Sequence, residues 1–159
     1  MEQNSYDTEK SIKELIYQSC LLLDEKKFNE YLALCEEDFH YTITAYSPEV
    51  RAEMIWMNED KASLKKLLDV YPRHNSDHAP LSRHTTVYTI DYDDDKKKEA
   101  SVVSAVQVFK TSLDGGETSL FAVAKFYDTI KLNGDQPRLA SRNVRLDTRM
   151  LGLGSHIPF

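Results

Sequence analysis

The second half of the sequence most narrows what this chain can fold into, because four long runs of strand-forming residues follow one another there with turn-forming residues between them. Arg83–Tyr92, Ala100–Thr111, Thr118–Leu132 and Arg138–Thr148 are the runs, and in the second of them Val102, Val106 and Val108 alternate with smaller or polar residues. Alternation of this kind marks a strand with one covered face. The charged segment Asp93–Lys98 separates the first pair of runs, and Asp114-Gly115-Gly116 and Asn133-Gly134 separate the others. Asn, Asp and Gly tolerate positive φ in tight turns, so the spacing predicts an antiparallel meander. Runs of 10 to 15 residues exceed the common strand length of about five or six. Such a sheet twists and curls strongly, and a curled sheet needs a filling.

The first half supplies one. Ser11 followed by Glu14 fits a capping box, and Ile12, Leu15, Ile16, Ser19, Leu22 and Leu23 share one helical face, which predicts an amphipathic helix over Thr8–Leu23. After a charged break at Asp24–Lys27, the residues Phe28, Tyr31, Leu32 and Cys35 repeat the pattern in a shorter helix, expected to pack on the first as a hairpin. Phe39–Tyr46 reads as a strand. The stretch from Ser47 to Met57 follows no clear period. Asn58 then reads as the N-cap of a third helix, with Glu59 and Asp60 near its positive end and Leu64, Leu67, Leu68 and Tyr71 as its stripe, until Pro72 stops it. The chain is therefore expected to be a single α+β domain over residues 1–159, its mostly antiparallel sheet curved around the N-terminal helices.

Charge and motifs exclude several function classes. With 20 Lys and Arg against 26 Asp and Glu, the net charge of -6 offers no broad attraction for phosphate backbones or anionic lipid, so neither nucleic acid nor membrane is expected as a partner. The opening residues are acidic where a secretion signal would be basic, and a cytoplasmic location is expected. Cys20 and Cys35 sit in apolar patterns and read as reduced core thiols. No Cys-x-His accompanied by Cys-x-x-His is present, nor any G-x-G-x-x-G, P-loop, G-x-S-x-G or H-E-x-x-H. The chain is accordingly expected to bind no metal or cofactor.

Three constellations remain. His74, Asp77, His78 and His84 carry metal-ligating groups, but Pro72, Pro80 and the turn-forming Asn75-Ser76-Asp77 argue for solvated loop histidines. Asp38, His40, Tyr41, His84 and Tyr88 are the acid–base groups of an alternative, enzymatic reading, although adjacent strand residues such as His40 and Tyr41 point to opposite faces. Near the end of the sequence stand Arg142, Arg145, Asp147, Arg149 and His156. If Arg145, Asp147 and Arg149 alternate on one strand face, they form either an internal salt-bridge ladder or a subunit contact. The nearly uncharged Leu151–Phe159 is expected to dock onto this domain or a neighbour.

The segments LLLDEKKFNEYLALCEEDFHYTI (Leu21–Ile43), SRHTTVYTI (Ser82–Ile90) and RNVRLDTRMLGLGSHIPF (Arg142–Phe159) together resemble the small, β subunits of Rieske-type ring-hydroxylating oxygenases. The resemblance implies an NTF2-like cone and a structural rather than catalytic role. It also implies a large-subunit partner that carries a Rieske 2Fe-2S cluster and a mononuclear iron. Three large and three small subunits would assemble, served by a ferredoxin and a reductase, and the small subunit alone would form a homotrimer or another homo-oligomer. Ala45–Pro72 and the tail are more similar to the methanesulfonate monooxygenase branch of the family than to its aromatic dioxygenases; the resemblance implies an aromatic or small organic substrate, with a sulfonate as one candidate. The alternative is a free-standing cone-fold isomerase or dehydratase.

Overall fold

Six strands form one sheet in the order β2-β1-β6-β5-β4-β3, and the helices pack inside its curl. The computed structural model describes residues 2–73, 77–93, 98–151 and 157–159. In chain order these form α1 (Glu2–Asp24), α2 (Phe28–Ala33), β1 (Cys35–Ser47), β2 (Ala52–Asp60), α3 (Lys61–Val70) with a following 3₁₀ turn (Tyr71–Arg73), β3 (Leu81–Tyr92), β4 (Glu99–Thr111), β5 (Thr118–Lys131) and β6 (Arg138–Leu146).

The expected apolar stripe of α1 is buried throughout, from Ile12 to Leu23. Ser11 does not cap it. The helix begins earlier, and the Ser11 hydroxyl donates to the Asp7 carbonyl at 2.9 Å within it. Apolar periodicity marks only the covered turns; the preceding exposed turns are carried by local pairs such as Lys13–Glu9 at 2.5 Å. A short reversal with Lys26 at φ 57° leads into α2, which buries Tyr31 and Leu32 and ends before Cys35, the first residue of β1.

The stretch without a clear period is strand β2, antiparallel to β1. Its register passes from Ile43↔Met57 to Thr44↔Ile55, so Trp56 is the extra residue of a bulge. The third helix starts later than expected: Asp60, not Asn58, caps it, its Oδ1 accepting from the Ser63 amide at 2.7 Å. Asn58 and Glu59 belong to β2.

β3 to β6 form the expected antiparallel meander, and β6 closes it against β1 in parallel. Gly115 and Gly116 use the left-handed region at φ 81° and 70°, whereas Gly134 does not, so Asn133-Gly134 is not the tight turn expected of it. Register shifts leave Tyr88 unmatched in β3 and Phe121 unmatched in β5. The inward faces contribute Phe39, Tyr41 and Ile43 from β1, Val102, Val106 and Val108 from β4, and Ala122, Ala124 and Phe126 from β5. Leu151, Ile157 and Phe159 are buried as well, so the apolar end of the sequence docks onto this domain.

Candidate functional site

Polar groups meet inside the curl in two places. Arg142 on β6 and Asp128 on β5 form a bidentate pair, Nε–Oδ1 at 2.7 Å and Nη2–Oδ2 at 2.9 Å, with both side chains fully enclosed. The same guanidinium donates to Ser19 Oγ of α1 at 3.1 Å and lies 4.0 Å from the centre of the Phe126 ring. Burial alone would lower the Arg142 pKa, but the Asp128 carboxylate reverses this and holds the arginine charged. Burial pushes the neighbouring Tyr31 and Tyr41 hydroxyls well up and the Cys35 thiol up to about 12. These groups stay protonated at neutral pH and are neither bases nor thiolate ligands. The pair fixes α1 to the centre of the sheet.

The second place lies near the edge strand β3. Arg83 donates through Nη1 to Asp24 Oδ1 at 2.6 Å and through Nη2 to the Pro158 carbonyl at 2.6 Å. The backbone amide of Phe159 donates to the Tyr41 hydroxyl at 2.7 Å.

The outer face has different chemistry. Thr44 and Tyr46 of β1, Glu53 of β2, Lys125 and Tyr127 of β5, and Arg145 beside them line a groove of about 320 Å³. Arg145 lies 5.1 Å from the centre of the Tyr127 ring and 3.8 Å from Glu53. Ile55 and Trp56 are exposed on neighbouring β2. β6 ends at Leu146, so Arg145, Asp147 and Arg149 do not alternate along one strand as expected. Beyond the strand the chain is held to Val123, whose amide donates to Thr148 Oγ1 at 2.8 Å. Asp147 is 4.0 Å from Lys125, and Arg149 Nη1 donates to both Glu49 oxygens at 2.6 and 2.5 Å. Through that arginine, and hydrogen bonds from the turn, the Glu49 carboxyl is pulled down to about 2.

Arg142, grouped by sequence with these charges as a subunit contact, instead lies inside the domain with its donors engaged there, because β6 turns its alternate residues inward. His156 lies outside the described residues. The alternative acid–base group is not assembled: Asp38, His40, His84 and Tyr88 are exposed and only Tyr41 faces inward. His40 and His84 stand on strands four places apart in the sheet, roughly 19 Å measured across it. His84 is 3.1 Å from Ser82 Oγ and edges onto Phe109. Asp77 pairs with Lys110, His78 packs against Tyr71 with ring centres 5.0 Å apart, and His74 lies outside the described residues. No group of three or more His, Cys, Asp or Glu among the described residues is placed to hold a metal ion. Cys20 and Cys35 stand on different elements, each beside a protein oxygen, so the donors present do not fit an iron–sulfur cluster.

Sequence reasoning did not find Tyr46, Trp56 and Tyr127 as an outer patch, nor Asp128 and Arg83 as buried anchors. Asp128 did leave a signal, occupying an inward position of the alternation Ala122, Ala124, Phe126, Asp128, Ile130.

Residues 18–152 match the family described as the ring hydroxylating beta subunit. The chain is 42% identical over 159 residues to the methanesulfonate monooxygenase hydroxylase subunit beta of Methylosulfonomonas methylovora, covering 96% of this chain and 87% of that one. It is 33% identical to the 2-aminobenzenesulfonate 2,3-dioxygenase subunit beta of an Alcaligenes species, over 93% and 97% of the two chains. Its fold matches that of a β subunit assigned to an aromatic-ring-hydroxylating dioxygenase of Novosphingobium aromaticivorans DSM 12444, with TM-score 0.74, 21% identity and 91% and 92% coverage. The sheet, its filling and these matches agree, and the chain belongs to the ring hydroxylating beta subunit family.

Proposed function

We propose that this chain is the non-catalytic small subunit of a multicomponent oxygenase and that it works by binding and ordering a catalytic large subunit in the cytoplasm. The observation that carries this reading is the contrast between its two faces. Inside, Arg142 and Asp128 engage each other and Arg83 and Tyr41 hold the docked tail, while the outer face presents Tyr, Trp and Arg side chains, the types that anchor protein interfaces.

In this reading the Rieske cluster and the mononuclear iron belong to the large subunit, which receives electrons from a reductase through a ferredoxin, and three copies of each subunit assemble. The names of the two curated relatives both specify a sulfonate, so an organosulfonate is the proposed substrate of the complex. Arg145, Asp147, Arg149 and His156 are assigned to the contact with the large subunit.

Co-expression with the large subunit tests the assignment. Replacing Arg145 and Arg149 together by Ala is expected to leave a folded chain by circular dichroism that elutes apart from its partner in size exclusion. Truncating one partner of a desolvated charge pair costs about 2–5 kcal/mol, and one partner of a rim pair far less. Variants that still co-elute at sub-micromolar concentration would place the contact elsewhere on the sheet. Turnover by the isolated chain on a small carbonyl or hydroxyl compound would overturn the subunit reading itself.

A further inference from the structure

The segment Ile157–Phe159 occupies a place built from elements far from it in sequence. Arg83 of β3, Tyr41 of β1 and Phe121 of β5 surround it: the arginine holds the Pro158 carbonyl, the tyrosine hydroxyl holds the Phe159 amide, and the Phe121 ring lies 6.0 Å from the Phe159 ring. The bulge in β5 supplies that wall, since Phe121 has no partner residue in β4.

Arg83 is not exhausted by these contacts. Its side chain is fully buried, Nη1 and Nη2 are taken by Asp24 and Pro158, and Nε has no hydrogen-bond partner among the described residues. A buried N–H left unsatisfied costs free energy that a small ligand can recover where the tail does not.

We propose that this is a ligand site, filled here by the chain's own residues 157–159, which takes a neutral aromatic compound bearing a carbonyl on the ring, as in an alkyl benzoate. The aromatic ring replaces Phe159 against Phe121, and the carbonyl replaces that of Pro158 on Arg83, its two lone pairs accepting from Nη2 and from Nε. Neutrality follows from Asp24. Its carboxylate already balances the guanidinium from 2.6 Å, so a second carboxylate would enter beside it with no cation left to offset it. The tail competes for the site and lowers the apparent affinity by the fraction of time it is docked.

Three probes separate the contributions: methyl benzoate carries the ring and the carbonyl, benzoate adds a charge, and toluene keeps only the ring. With Ile157, Pro158 and Phe159 all replaced by glycine, calorimetric titration is expected to show saturable binding of methyl benzoate. That binding should be about ten-fold tighter than to the native chain. Benzoate and toluene should bind far more weakly. Arg83→Lys keeps the charge but removes Nε and the planar fork, and should weaken methyl benzoate about ten-fold.

The native chain gives a second measurement should the glycine variant fail to fold. As methyl benzoate is added, the Phe159 amide resonance should move toward its free position, and toluene should leave it in place. Equal affinity for all three probes, indifference to Arg83→Lys, or a Phe159 amide unmoved at millimolar methyl benzoate would each overturn the proposal.

Discussion

A single pair of side chains, Arg142 and Asp128, carries a disproportionate share of this interior. Both are enclosed, and the arginine also reaches α1 through Ser19. Removing one partner strands the other charge without solvent. Arg142→Met is therefore expected to destabilise the chain by about 3–5 kcal/mol in urea denaturation, whereas the double change Arg142→Met with Asp128→Leu should recover most of that loss. On the surface the balance differs. Glu49 is held near 2, below its ordinary 4.5, first of all by Arg149. Because the pKa is lowered, the contribution of this pair is complete above the ordinary value and is lost only as pH falls toward about 2. Carboxyl NMR should therefore place the Glu49 midpoint near 2 in the native chain, and well above that in Arg149→Ala. At this scale the sequence was only partly legible. Asp128 announced itself as a carboxylate in the apolar phase of a strand, but nothing local says that its partner lies on the next strand rather than on another subunit.

Elements were legible where their signal is local. Turn residues and alternation in β3 to β6 disclose the meander because each strand pairs with its neighbour in sequence. β2 stayed hidden because the bulge at Trp56 breaks the period of two, and the start of α3 was misplaced because three consecutive residues, Asn58, Glu59 and Asp60, all suit a cap. The structure separates them: Asp60→Ala should cost about 1 kcal/mol in chemical denaturation, while Asn58→Ala removes no cap. The parallel pairing of β1 with β6 had no local signature at all. Its members lie about a hundred residues apart, as in the 2.5 Å hydrogen bond that Asn143 Nδ2 donates to Thr42 Oγ1.

For the molecule as a whole, the lone tryptophan is a built-in reporter. Trp56 is 46% exposed beside Ile55 on the side of the sheet assigned to the partner. Its emission should shift to the blue when the large subunit assembles on that side, and the shift should vanish with any substitution that blocks assembly. An unchanged spectrum in a fully assembled complex would put the contact away from β2. The candidate site was the least legible part of the sequence, since an outer face is defined by which strands become neighbours, and Tyr46, Tyr127 and Arg145 meet only after β6 has entered the sheet.

That entry sets the order of events during synthesis. β6 is synthesised after the five other described strands, yet it sits between β1 and β5. Until residues 138–146 emerge, a growing chain holds two separate half-sheets, a β1–β2 hairpin and a β3–β5 meander, each with an open edge that can pair with another nascent copy. A ribosome that stalls before Arg138 leaves both edges bare, and the vulnerable interval of this protein's life runs from the appearance of β3–β5 to the emergence of β6.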